Sequence, residues 1–153
     1  MIDQLASSSL FGNLGHFSIV EISKICTKLE LIDGDTLISE NDLENFDLYI
    51  LCAGNVEIVS RHKPTITGEV VLSKRDTELF GEIGWLLRKK RTATVRCIGE
   101  VDAIRINGDL FMTLLEQHPD MGFQVMRNLS TLITRRMSQA SGLLKQILWN
   151  IDL

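Results

Sequence analysis

Apolar residues near the start of the chain recur at the three- and four-residue spacing of a helix. Residues 17–26 follow this pattern, and Ser18 with Glu21 three positions later fits a capping box. We therefore expect a helix over about residues 18–28, preceded by a turn-rich lead-in at residues 10–15.

From residue 29 to residue 106 the apolar positions form short runs with the two-residue period of a β-strand. Turn residues such as Gly34-Asp35, Gly54-Asn55 and Gly99-Glu100 separate these runs. The pattern predicts strands at residues 29–32, 36–39, 48–52, 56–60, 69–74, 93–98 and 101–106. Many short, evenly spaced strands are typical of an antiparallel jelly-roll β-barrel, so we expect a mainly β fold with flanking helices.

The helical period returns after Asn107-Gly108. It predicts one helix over residues 109–117 and a long helix from Pro119 to about residue 150, because proline is tolerated at a first helical position. Apolar residues recur along the long helix at coiled-coil-like steps: Met126, Leu129, Ile133, Met137 (or Arg136 in its place), Ala140, Leu144, Ile147 and Ile151. We expect this helix to pack on the barrel and also to pair with a second copy in a homodimer.

Composition is that of an ordinary globular protein. The 153 residues suit a single domain over 1–153, with 44% hydrophobic and 24% charged residues. A net charge of −4 argues against a general nucleic-acid-binding surface. We see no signal peptide or membrane-spanning run, and the three scattered cysteines indicate reduced thiols, so we expect a cytoplasmic protein.

The stretch most informative about function is residues 79–96, LFGEIGWLLRKKRTATVR. Gly81 and Glu82 precede a short apolar run, and Arg91 leads into strand-like sequence. Free backbone N–H groups at a helix start and an arginine fork both suit a phosphate. The carboxylate between them suits a sugar hydroxyl.

This stretch resembles the phosphate-binding cassette of the cyclic nucleotide-binding domains, which occur in bacterial catabolite activator proteins, regulatory subunits of cyclic-AMP-dependent kinase and cyclic-nucleotide-gated channels. The family pattern reads roughly F-G-E-[LI]-[AG]-L, a short loop, then R-[AST]-A-[TS]-V. The residues that fit are Phe80, Gly81, Glu82, Ile83, Gly84, Leu86, Arg91, Thr92, Ala93, Thr94 and Val95. The match departs at Trp85 and Lys90, two positions that affect the shape of the loop. Residues 48–58 also resemble the family.

The resemblance implies a role for each cassette residue. Arg91 would hold the cyclic phosphate, helped by backbone N–H groups near Ala93, and Glu82 would accept a hydrogen bond from the ribose 2′-hydroxyl. Gly81 would allow close approach of the backbone, and Thr92 fits cyclic AMP, which family frequency favours, or cyclic GMP. The other implied binding residue is Ile83, and the candidate pocket-wall or cap residues are Ile58, Leu72, Phe80, Val95, Arg136 and Ser141.

Several of these residues also have plainer interpretations. The basic run at residues 88–91 is typical of a solvated loop, and we accept that interpretation for Arg88, Lys89 and Lys90. The apolar candidates fit an ordinary core equally well: Ile58, Leu72, Ala93 and Val95.

The predicted function is a non-catalytic cyclic-nucleotide sensor, without cofactor or metal, whose ligand shifts the long helix for a separate effector protein to read. No helix-turn-helix segment follows the long helix in this sequence, so we expect no DNA-binding domain. Because we see no membrane-spanning run, we also expect no membrane contact. The alternative is a ligand-free dimerisation domain that kept the fold. A metal-dependent enzyme on a similar barrel needs clustered ligands, whereas the histidines are scattered, at His16, His62 and His118.

Overall fold

The computed structural model describes residues 1–61, 69–75 and 79–151, and for 69–75 and 151 it describes only the backbone. The first helical segments are α1 (Ile2–Ser7), a 3-10 turn (Ser9–Phe11) and α2 (His16–Ser23). Strands and one short helix follow: β1 (Cys26–Leu31), β2 (Thr36–Ile38), β3 (Leu48–Arg61), β4 (Glu69–Arg75), β5 (Leu79–Phe80), α3 (Glu82–Leu87) and β6 (Thr94–Ile106). The last two helices are α4 (Gly108–Gln117) and α5 (Pro119–Ile151).

The strands form one antiparallel sheet in the order β1-β6-β3-β4, with β2 paired to β6 and β5 paired to β3. β3 and β6 pair along most of their length, from Leu48 opposite Ile106 to Val59 opposite Thr94. Within the described residues β1 and β4 lie at opposite ends of this order, separated by β6 and β3, and they do not pair with each other. The expected antiparallel strands and flanking helices are present, but the expected closed barrel is wrong for this part of the chain.

Two pairs of predicted short strands are each one long strand. Residues 48–52 and 56–60 both belong to β3, and residues 101–106 continue the strand that begins at Thr94. The register of β3 against β6 shifts around Ala53, and Gly54 has a φ of 95°. This glycine therefore lies in an irregularity of a continuing strand, since a residue without a Cβ adopts that φ at little cost.

The first predicted helix is displaced toward the N-terminus. α2 starts after Gly15, which makes no side-chain cap, so the predicted capping box at Ser18 is wrong. The helix ends at Ser23, and Cys26 already pairs with Ile106 in β1. Pairing along β6 outweighs the helical spacing of the apolar residues there. α1 was not predicted, whereas α4 and α5 agree with prediction.

A buried aromatic cluster joins the helices to the sheet and fixes the position of α3. Trp85 on α3 is 1% exposed and stacks on Phe111 of α4, with ring centroids 5.2 Å apart. The edge of Phe11 meets Phe111 at 6.0 Å. The short helix between β5 and β6 is therefore anchored in the same core that holds α4 and α5.

The second half of α5 exposes a run of large apolar side chains. Their exposed fractions lie between 54% and 73%, and they are Met137, Leu143, Leu144, Ile147, Leu148 and Trp149. Exposed apolar surface of this extent is uncommon on a globular protein. None of the described helices has the length and apolarity needed to cross a membrane.

Asn128 holds α5 against the N-terminal turn, since its side-chain amide donates to the carbonyls of Leu10 and Gly12 at 2.9 and 2.8 Å. We expect Asn128→Ala to lower the free energy of unfolding by about 1–2 kcal/mol, because two part-buried carbonyls lose their donor. Urea unfolding followed by tryptophan fluorescence measures this loss. Thr131→Ala removes an exposed polar side chain from the same helix and should cost less than about 0.5 kcal/mol. Equal losses in the two variants would contradict this role for Asn128.

Candidate functional site

The predicted cassette residues surround a cavity of about 240 Å³. Of the predicted set, those lining it are Ile58, Phe80, Gly81, Glu82, Ile83, Arg91, Thr92, Ala93, Val95 and Arg136. Ser141 lies further along α5, where it is exposed and does not line this cavity. The side chain of Leu72 lies outside the described part of the structure. The structure thus brings together nearly all of the predicted site, and the binding roles of these residues stay predictions.

Three lining residues were not predicted. Leu79 and Gly84 belong to the cassette stretch, so their place in the motif was the available signal. Ile38 comes from β2, far away in sequence, and no motif marks it. Its side chain reaches the cavity because β2 pairs with β6 beside Val95.

Arg91 is a buried cation, only 4% exposed. Its Nη1 donates to the Gly81 carbonyl at 2.9 Å and its Nη2 to the Asp47 carbonyl at 2.7 Å. Its Nε is buried without a hydrogen-bond partner among the described residues, and no described carboxylate forms an ion pair with it. Burial lowers the pKa of Arg91, while the neighbouring tyrosine and carboxylates act in the opposite direction. An anion in the cavity would complete this arrangement, because a buried charge is costly until it is paired.

Two glycines make room for the Arg91 side chain beside α3. Gly81 has a φ of 92°, and a Cβ there would lie 2.6 Å from the Asp47 carbonyl oxygen. A Cβ on Gly84 would lie 2.6 Å from Arg91 Nη1. Both distances are shorter than non-bonded contact allows, so the observed guanidinium position requires glycine at both places.

Glu82 is held by Arg136, which reaches the cavity from α5. The glutamate is 7% exposed, and Arg136 Nη1 donates to its Oε1 at 2.5 Å. Arg136 Nη2 donates to the Leu79 carbonyl at 2.8 Å. The two arginines of the cavity therefore differ in their partners: Arg136 is paired with a carboxylate, whereas the partners of Arg91 among the described residues are carbonyls.

Asp47 connects the cavity to the start of α4. Its carbonyl accepts from Arg91, and its Oδ1 accepts from the backbone N–H of Gly108 at 2.9 Å. The Gly108 carbonyl in turn accepts from Trp85 Nε1 at 2.8 Å. These bonds join α3, the loop before β3 and α4 around one guanidinium. No sequence motif marks Asp47, because any residue can supply the carbonyl that Arg91 uses.

The basic loop after α3 is only partly a solvated surface. Lys89 and Lys90 are exposed, as predicted. Arg88 is also exposed, but it donates to Asp109 Oδ1 at 2.6 Å and its guanidinium carbon lies 4.2 Å from the centroid of the Phe46 ring. Arg88 therefore ties the end of α3 to α4, a contact that the sequence pattern did not indicate.

Residues 28–118 match the family model described as the cyclic nucleotide-binding domain. The chain belongs to the cyclic nucleotide-binding domain family. The match runs from within β1 through α4 and includes the whole cassette. The resemblance seen in residues 79–96 is thereby confirmed, while Arg136 on α5 lies beyond the matched range.

Relatives of the chain include bacterial regulators. Over 144 residues, or 94% of this chain, the sequence is 23% identical to the CRP-like cAMP-activated global transcriptional regulator of Mycobacterium tuberculosis, and it spans 63% of that protein's length. The N-terminal domain of a transcriptional regulator from Streptomyces coelicolor A3(2) is 26% identical, with a TM-score of 0.72 over 91% of this chain and 95% of that one. A cyclic nucleotide-binding domain from Methylobacillus flagellatus shares the fold at 18% identity, with a TM-score of 0.79 over 90% of this chain and 79% of that one.

The Glu82–Arg136 pair predicts an energetic coupling between α3 and α5. We expect Arg136→Ala to lower the free energy of unfolding by about 1–3 kcal/mol, because it leaves a nearly buried carboxylate without this donor. Combining it with Glu82→Gln should recover part of the loss, giving a coupling of about 1 kcal/mol in a double-mutant cycle measured by urea unfolding. The matched control is Arg135→Ala, which removes the neighbouring arginine and should show no coupling to Glu82→Gln. Simple additivity of Arg136→Ala and Glu82→Gln would contradict the pair.

Proposed function

We propose that this chain binds a cyclic nucleotide, with cyclic AMP preferred over cyclic GMP, as a non-catalytic regulatory sensor. The observation that carries the proposal is the state of Arg91, a buried guanidinium without an anionic partner among the described residues, at the wall of a cavity. A cyclic phosphate supplies a single negative charge, and its two free oxygens suit an arginine fork. The groups named here supply charge and hydrogen bonds, and the proposal requires no bond to be broken.

Glu82 is the proposed acceptor for the ribose 2′-hydroxyl. Arg136 already donates to its Oε1, but a carboxylate has about four lone-pair sites, so it retains the capacity to accept a hydroxyl as well. The base would lie against the apolar side chains of Ile58 and Val95, which line the same cavity. Cyclic AMP is supported by the Mycobacterium tuberculosis relative, whose name describes it as cAMP-activated. Thr92, exposed at the cavity, keeps cyclic GMP as the alternative ligand.

Arg136 is the proposed link from the ligand to α5. It contacts both Glu82 and the Leu79 carbonyl, so a change at Glu82 alters how α5 is held against the sheet. A ligand that binds one position of α5 better than another shifts the population toward that position. A separate effector protein would then read the position of α5.

We also propose that two copies of the chain pair through α5. The predicted coiled-coil-like seam and the exposed apolar side chains coincide at Met137, Leu144 and Ile147. Burying these side chains against a second α5 removes apolar surface from water, which is the main favourable term in such an association.

The phosphate contact is tested by Arg91→Ala, measured by isothermal titration calorimetry with cyclic AMP. We expect affinity to fall by at least about 100-fold, because two charge-assisted hydrogen bonds are lost. Arg91→Lys keeps the charge without the fork and should also bind far more weakly. Lys89→Ala changes an exposed residue of the same loop and should bind like the wild type.

Thermal unfolding of each Arg91 variant shows whether the fold is retained. Affinity in a folded Arg91→Ala variant equal to that of Lys89→Ala would refute the phosphate contact. If the wild type binds neither nucleotide at millimolar concentration, the ligand-free dimerisation domain becomes the better account.

The pairing of α5 helices is tested by Ile147→Glu, which places a charge on the exposed apolar surface. We expect the wild type to sediment as a dimer and this variant as a monomer in analytical ultracentrifugation, because two buried carboxylates would face each other without partners. Lys145→Glu, a charge change off the seam on the same helix, should leave the dimer intact. A monomeric wild type would show that the pairing is wrong.

A further inference from the structure

A second cavity, of about 490 Å³, lies beside the cassette cavity and is larger than it. It is formed by α1 with the serines that follow, the first part of β3 and the central part of α5. The two cavities share Leu79 and Arg136 as lining residues. The volume of the second cavity lies well within the range of small-molecule sites.

The second cavity combines an apolar lining with positive charge. Its apolar side chains include Ile50, Leu51 and Leu132, and its polar ones include two consecutive arginines, Arg135 and Arg136. No aspartate or glutamate is among the described residues that line it. An anion is therefore favoured there over a cation.

Two polar groups of this cavity have unused hydrogen-bonding capacity. Arg135 lines the cavity from an exposed position and makes no hydrogen bond or ion pair with any described residue. Gln4 belongs to α1, and its side-chain oxygen is buried without a hydrogen-bond partner among the described residues. A buried acceptor without a donor is costly, so a bound molecule that donates to it would be stabilised.

We propose that this cavity is a second ligand site and that it takes a small amphipathic anion, an apolar chain or ring that carries a carboxylate. The apolar part lies against Ile50, Leu51 and Leu132, and the carboxylate accepts hydrogen bonds from Arg135. A donor group on the ligand, such as a hydroxyl or an amide, would satisfy Gln4. Arg135 is free to make this contact, whereas Arg136 already holds Glu82. The site does not depend on the proposed cyclic-nucleotide function, because the phosphate-binding Arg91 lies outside it.

Octanoate is a suitable probe, since it combines an apolar chain with a carboxylate. Calorimetric titration of the full chain should show saturable binding of one octanoate per chain. Arg135→Ala should weaken this binding about tenfold, because a charge-assisted hydrogen bond is lost. Arg127→Ala removes an exposed arginine from the same helix outside the cavity and should bind octanoate like the wild type. Octanol, which has the same chain without the charge, should also bind about tenfold more weakly.

Arg91→Lys, checked for folding by thermal unfolding, separates this site from the cassette cavity. This variant should bind octanoate like the wild type even if it no longer binds cyclic AMP. Loss of octanoate in that variant would place the probe in the cassette cavity and overturn the proposal. So would the absence of saturable octanoate binding at millimolar concentration, or equal affinities in Arg135→Ala and Arg127→Ala.

Discussion

The burial of Arg91 without a carboxylate partner among the described residues is the constraint on which the arrangement around the cavity depends. A guanidinium that is 4% exposed must be compensated, and here the Gly81 and Asp47 carbonyls do so in part. Each carbonyl comes from a different segment, so the end of β5 and the loop before β3 must both be held in place. Gly81 and Gly84 leave the space that the side chain needs. Arg91 lines the cavity, and the described residues supply no negative charge that pairs with it, so an anion in the cavity would gain from that pairing.

The helices are attached to this cavity from two sides. On one side, Asp47 and Trp85 both bond to the backbone of Gly108, so the first turn of α4 is fixed relative to Arg91 and α3. On the other side, Arg136 fixes α5 to Glu82 and to the Leu79 carbonyl. A movement of the middle of α5 away from the sheet would therefore break the contacts of Arg136, while the contacts of Gly108 hold α4. The structure therefore shows one position of α5 relative to the cavity, and the proposed signal requires a second one.

Local motifs in the sequence were sufficient to predict most of the site but not its connections. The cassette residues lie within one short stretch, so their proximity follows from the chain itself, and Arg136 could be named from its place on the long helix. Asp47 acts on Arg91 through a backbone carbonyl, and no residue type signals that. The strands show the same limit, because Gly54 suits a turn and an irregularity in a long strand equally well, and only pairing with β6 decides between them.

The ion pair between Glu82 and Arg136 bears directly on how an anion would bind. A carboxylate close to a bound phosphate repels it, and burial makes that repulsion stronger than in water. Arg136 offsets the charge of Glu82. As long as α5 is docked, that is, as long as Arg136 contacts Glu82, the charge that a cyclic phosphate meets in the cavity is therefore mainly that of Arg91. The proposed ligand then binds the docked position of α5 more tightly than any position in which Arg136 has withdrawn. By linkage, the ligand stabilises the docked helix by the same free energy. The direction of the proposed signal follows from this, since occupancy holds α5 against the sheet and release allows it to move.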